Sequence, residues 1–293
     1  MEEKDWIILK TLYEEKNITK TAEKLFITQP ALTYRIQAIE QEFGVKIVNR
    51  GKKGVEFTFE GEYVYRYAEK MIIEFRKVKE KLKNMDNKVQ GKLRIAVSSS
   101  FAYNPLPVIL KDFLTLYPEV EVNLVTGWSS EILQHVQKEE AHLGIIRGDH
   151  YWPEAKHVIS EEAIFIASKQ KISLEQLPYL PRINYVTDHS LKRLIDNWWD
   201  ENFDTPPLIT MDVNQVEICR KMVAQGLGYA IFPSISFIDN EELYRINLLD
   251  GNKNPIIRKT SIIYKHETIE SSVVKAFFDF LQLKLDTNSS NIN

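Results

Sequence analysis

Apolar positions change their repeat along the chain, and each change marks an element. Trp6, Leu9, Leu12 and Tyr13 recur at helical steps and predict a helix over roughly 4–15. Thr19 is positioned to cap a second short helix that turns Ala22 and Leu25 inward, with a turn at Phe26 and Ile27. Leu32, Ile36, Ile39 and Phe43 then form one stripe at steps of four, three and four. That helix opens at Thr28-Gln29-Pro30, where Pro is tolerated in a first turn, and Gly44 closes it. Two helices around a tight turn predict a helix-turn-helix with a recognition helix from about Gln29 to Glu42. The next segments, 45–50 and 55–57, read as strands around a Gly51–Gly54 turn, a small wing with a basic tip.

From Phe59 to about Asn87 there is no Pro. Val64, Ala68, Met71, Phe75, Val78, Leu82 and Met85 keep a heptad repeat throughout. A helix of that length would reach about 43 Å. Its stripe predicts cover by a second copy of the chain, so these seven residues are assigned to dimerisation. Beyond Gly91 the pattern becomes strand, helix, strand, helix, strand: 92–97, 107–117, 120–125, 129–138 and 142–146. A second set follows, with strands at 163–167, 208–212, 229–232 and 258–264, and helices at 191–203, 215–225 and 269–285. Alternation of this kind predicts two α/β lobes on parallel sheets, with a cleft between them and a frayed tail from Asp286.

Charge sharpens the division. Residues 1–90 carry 18 Lys and Arg against 15 Asp and Glu, and the remainder carries 20 against 26. A basic front on an acidic body suits a polyanion-binding module joined to a different one. On the recognition helix Gln29, Thr33, Tyr34, Arg35 and Gln37 are expected to face outward, with Thr28 and Pro30 at its start. Gln suits adenine edges, Arg suits guanine, and Thr suits a phosphate or a thymine methyl. Arg50, Lys52 and Lys53 on the wing would meet phosphates and add affinity with little sequence readout.

The single cysteine, Cys219, excludes a disulfide framework and a cysteine zinc site, and it reads as a buried small hydrophobe. The histidines lack metal-ligand spacing, so no metal is expected. Trp128, Trp152, Trp198 and Trp199 read as core. No cationic leader or uncharged apolar run of 18 residues is present, which predicts a cytoplasmic chain with no membrane partner. Two other readings compete: an enzyme on the two-lobed domain, and an exported solute-binding protein. The first lacks a nucleophile elbow, a zinc pair, a phosphate loop or a dinucleotide fingerprint, so no catalytic residue is assigned. The second lacks a leader and has no use for a helix-turn-helix.

Ala22-Glu23-Lys24-Leu25, Thr28-Gln29-Pro30-Ala31-Leu32-Thr33, Ile39-Glu40, Gly44, Arg50, Thr58 and Gly61 together resemble the signature of LysR-type transcriptional regulators. Thr21, Thr28, Thr33 and Ile47-Val48 depart from that pattern conservatively. Gly91–Ile95, His142–Ile146 and Val223–Pro233 are similar to the same family's effector-binding domain. The resemblance implies an α+β multidomain chain: a winged helix-turn-helix over 1–58, a linker and dimerisation helix over 59–90, and a two-lobed α/β effector-binding domain of periplasmic-binding-protein type over 91–293. Lobe I would comprise about 91–161 and 266–293, and lobe II about 162–265. It also implies promoter DNA and further copies of the chain, as dimer or tetramer, as partners, and allows RNA polymerase as another.

Ligands of open parallel sheets sit beyond the carboxyl ends of the strands. Ser98, Ser99, Ser100, Ser129, Arg147 and Arg258 fall at such ends or beside them, and hydroxyls with two guanidinium groups suit carboxylates. The expected effector is a small anion with two or three carboxylates, and no cofactor is expected. The surroundings of Arg147 and Pro255–Arg258 resemble a catabolite-control subgroup of low-GC Gram-positive bacteria, which implies citrate.

Overall fold

The computed structural model describes residues 1–51, 54–83, 88–234 and 243–289. Lys52, Lys53 and Met85 therefore lie outside the described residues. The chain divides into two compact units, Met1–Asp86 and Asn87–Asn293.

The first unit contains α1 (Glu3–Glu15), α2 (Ile18–Lys24), α3 (Gln29–Phe43), β1 (Val48–Gly51), β2 (Gly54–Phe57) and α4 (Phe59–Lys83). Asn17, rather than Thr19, caps α2, because its side chain accepts the N–H of Lys20. Thr28 caps α3 by accepting from Ala31 N, and Gly44 ends it in the left-handed conformation. Leu9, Leu12, Leu32, Ile36 and Ile39 form the core, while Phe43, at the end of the expected stripe, is 42% exposed.

The linker stripe divides in two. Val64 and Ala68 are buried in the core of this same unit, which corrects their assignment to a subunit interface. Phase alone cannot say which surface a stripe covers. Phase places Phe75 edge-on to Trp6, whereas Val78 and Leu82 are exposed.

The second unit is built on one mixed sheet, with these strands: β3 (Gly91–Ser98), β4 (Val120–Gly127), β5 (Leu143–Arg147), β6 (Ala155–Ser168), β7 (Arg182–Tyr185), β8 (Ile209–Val213), β9 (Tyr229–Pro233), β10 (Tyr244–Asn247) and β11 (Ile257–Tyr264). Their order is β4-β3-β5-β11-β6-β9-β7-β8, and β10 also pairs with β6. Helices α5 (Ser99–Tyr103), α6 (Pro105–Leu116), α7 (Ser129–Gln137), α8 (His189–Asn202), α9 (Val216–Ala224) and α10 (Ser272–Ser289) cover it.

β3 lies parallel to β4 and β5, and β7 parallel to β8 and β9. β6 and β11 run antiparallel to their neighbours, so the sheet is not wholly parallel as the sequence suggested. The first half of β6 pairs with β11 and its second half with β9, so these two strands join the lobes. Phe113, Val274 and Phe277 centre the core of lobe I; Trp198, Trp199 and Tyr229 centre one face of lobe II. Three further expectations are corrected: Ser99 and Ser100 belong to α5, β6 begins at Ala155, and α10 runs to Ser289 beyond the expected fraying point.

Candidate functional site

Helix α3 turns two faces in opposite directions. Leu32, Ile36 and Ile39 enter the core, and Gln29, Pro30, Tyr34 and Gln37 are exposed, with Thr33 half-buried beside them. Gln29, Thr33 and Gln37 stand four residues apart, so their side chains line one face in a row. Thr28 spends its hydroxyl on the cap.

Arg35 does not join that row. Its Nε donates to Asp5, and its terminal nitrogen donates to Asp5 and Glu2, both at 3.1 Å. Asp5 is buried, so Arg35 acts as a tie between α3 and α1 and is not an open guanine reader, which corrects the sequence reading. Helical phase missed this because Arg35 sits on the border between the two faces. Arg50 is exposed on the wing and makes no hydrogen bond or ion pair with the described residues. Phe26, at the turn before α3, is 94% exposed with φ 54°; no periodicity pointed to it.

In the second unit Ser100, Arg147 and Arg258 of the expected ligand residues meet at the junction of β5, β6 and β11. Arg147 ends β5 and is almost wholly buried. It donates to the Ser100 hydroxyl at 2.8 Å and to the Glu162 carboxylate at 2.8 Å. Arg258 lies opposite Glu162 in the β11–β6 register and donates to Asp188. The other oxygen of Asp188 accepts the N–H groups of Ser190 and Leu191, each at 3.0 Å, and so caps α8.

Burial pulls the Arg147 guanidinium down to about 10, against the opposing pull of Glu162, and leaves it protonated at neutral pH. Burial acts to raise the Asp188 carboxyl. Arg258 and the cap hydrogen bonds outweigh it, and the group lies below the ordinary carboxylate range. Glu162 and Asp188 were missed because their partners are 15 and 70 residues away in sequence.

The serines part company. Ser98 is buried, and its Oγ has no hydrogen-bond partner. Ser99 is directed at the Gly127 carbonyl, 3.4 Å away. Ser129 accepts from Arg147 N and donates to Arg147 O, so its hydroxyl braces the strand end and is not offered to a ligand. Arg147 Nε and Arg258 Nε are, like Ser98 Oγ, buried without partners. At the strand junction two guanidinium groups thus face two carboxylates, and each keeps a buried Nε without a partner. Cys219 is buried, its thiol pushed up to about 12 by that burial, and Trp198 and Trp199 lie in the core as expected, whereas Trp128, expected there too, is 44% exposed. Among the described residues no helix is long and apolar enough to cross a membrane, and no group of three or more His, Cys, Asp or Glu could hold a metal.

Comparison with known proteins agrees with this architecture. Residues 4–62 match the family described as bacterial regulatory helix-turn-helix protein, lysR family, and residues 86–286 match the LysR substrate binding domain. An uncharacterised helix-turn-helix transcriptional regulator of Bacillus subtilis, YraN, is 42% identical over 282 residues, covering 96% of this chain and 98% of its own. A second from that organism, YkuM, is 33% identical and covers 95% and 96%. The fold is similar to full-length CbnR, a LysR family regulator solved with its target DNA, at TM-score 0.67, 18% identity, and 96% and 99% coverage. It is also similar to the Vibrio cholerae virulence activator AphB, at TM-score 0.58, 17% identity, and 96% and 98% coverage. With a winged helix-turn-helix ahead of a two-lobed effector-binding domain, and both matched by their family models, the chain belongs to the LysR family of DNA-binding transcriptional regulators.

Proposed function

We propose that a small carboxylate metabolite docks in the interlobe cleft and controls how this regulator acts at its promoter. One observation carries the reading: Arg147 and Arg258, close enough at the β5–β6–β11 junction to feel each other's charge, each keep a buried Nε without an acceptor. Buried polar atoms are nearly always hydrogen-bonded, and a carboxylate supplies the acceptors. Glu162 and Asp188 already neutralise the arginines, which favours ligands with one or two carboxylates. Citrate, as a trianion, would have to displace one of these acids.

In this reading a dimer presents two α3 helices to half-sites of one element, with Gln29, Thr33, Tyr34 and Gln37 over base edges and Arg50, Lys52 and Lys53 over phosphates. Met71, Phe75, Val78 and Leu82 supply the helix face between copies. Ligand binding changes the angle between lobes, and hence the spacing of the heads. A thermal-shift screen of pyruvate, succinate and citrate tests the ligand class, since a ligand of the folded state raises Tm by mass action. Arg147→Ala should abolish the response and leave gel-shift binding to the chain's own upstream DNA intact; an unchanged response overturns the assignment.

A further inference from the structure

We infer that lobe II holds a second ligand site, separate from the interlobe cleft, for a small aliphatic monocarboxylate held by Arg182. Arg182 begins β7 and is 8% exposed. Its guanidinium forms no hydrogen bond or ion pair with any described residue, and its Nε is buried without a partner. It lies 5.5 Å from the Trp199 ring, which is fixed in turn by donating to the Thr205 carbonyl. Burial pulls this guanidinium below its ordinary value, and the Asp196 carboxylate, which is not in ion-pair contact with it, opposes that pull only in part. Charged side chains are almost never buried unless paired, so this one calls for an anion.

The space to hold that anion is present. Arg182 lines a cavity of about 320 Å³ between α8 and the β7–β8 edge. Its walls include Ile195 and Ile231, which would accept a hydrocarbon body. None of the cleft residues Ser98, Ser100, Arg147, Glu162, Asp188 or Arg258 lines it. The acids of this cavity define the ligand further. Asp196 is paired with Lys192 at 2.5 Å, but Asp212 is exposed at the margin. One carboxylate is drawn to Arg182, and a second at the far end would meet Asp212 and be repelled. The structure therefore assigns this site to monocarboxylates over dicarboxylates.

Hexanoate, with 1-hexanol and adipate for comparison, serves as the probe in calorimetric titrations of the full chain. Hexanoate should bind the parent and Arg147→Gln equally, which separates this site from the interlobe cleft. Hexanol should not bind, and adipate should bind more weakly than hexanoate. Arg182→Met should weaken hexanoate about ten- to a hundredfold, the loss expected for charged hydrogen bonds, without lowering Tm, because it removes an uncompensated buried charge. Asp212→Asn, a change at an exposed position, should bring adipate up to hexanoate. Absence of hexanoate binding, equal binding by Arg182→Met, or a lower Tm for that variant overturns the proposal. So does a change in its sedimentation coefficient, which would make the missing anion a side chain of a second copy.

Discussion

Replacing Glu162 with Gln tests the effector cleft by its charge balance. Arg147 and Glu162 are 2% and 9% exposed in their side chains and meet at 2.8 Å. Breaking such a pair leaves an uncompensated buried charge and costs about 3–5 kcal/mol. Gln keeps a carbonyl that can still accept, so the lower end, about 3 kcal/mol, applies. In a domain of this size each kcal/mol moves Tm by about 2–4 °C, which predicts a fall of about 6–12 °C without ligand. The opposite sign is expected in the presence of effector. A carboxylate that no longer competes with Glu162 for Arg147 gains about 1.5–3 kcal/mol of charged hydrogen bonding, or about ten- to a hundredfold in Kd. Differential scanning fluorimetry gives the first quantity, and titration with the same acids gives the second. A Glu162→Gln chain that is less stable yet binds every acid no more tightly than the parent would show that Arg147 serves structure alone.

Other parts of the molecule give further tests. Gln29→Ala should erase the difference between specific and random duplexes in a gel shift and leave the salt slope unchanged, because phosphate contacts set that slope. The Asp188 carboxyl lies below its unfolded value of about 3.9, so its contribution is full above that pH and is lost as pH falls through the folded pKa. Asp188→Asn should flatten the acid side of the stability curve in urea titrations between about pH 5 and pH 2. Cys219 should resist iodoacetamide at pH 8 until the chain is unfolded, because burial holds it as the thiol. Val78→Glu with Leu82→Glu, both at exposed positions, should change the stability of the head by no more than about 0.5 kcal/mol. Sedimentation should then report monomers in place of dimers.

The head was readable from sequence because its determinants are local. Thr28 and Gly44 bracket the 15 residues of α3, Pro30 sits in its first turn, and the apolar stripe runs between the caps. The errors arose where periodicity shows a face without showing what covers it. Val64 and Ala68 keep the heptad phase yet pack on their own domain, and Arg35 sits at the polar margin yet pairs with Asp5. In the second unit the arginines could be found from strand ends, but their acids could not. Glu162 lies in a stretch of β6 with Lys156, Glu161 and other polar residues, which masks the strand that joins the lobes. Asp188 carries a helix-cap signature that says nothing of Arg258. Arg182 opens a four-residue strand too short to show a repeat.

Gly61 has a mechanical consequence. A side chain there would collide with the backbone carbonyl of Ile47, so only glycine lets α4 sit flush on the strand leading into the wing. With Val64 and Ala68 sunk in the head and Phe75 against Trp6, the helix and the head form one stiff body. Its 25 residues make a lever arm of about 37 Å. Tilting that arm by about 5° sweeps its end through about 3 Å, close to the rise of one base-pair step. Under the proposed mechanism, a rotation of that size at the end of α4 would be enough to shift a head by one base-pair step.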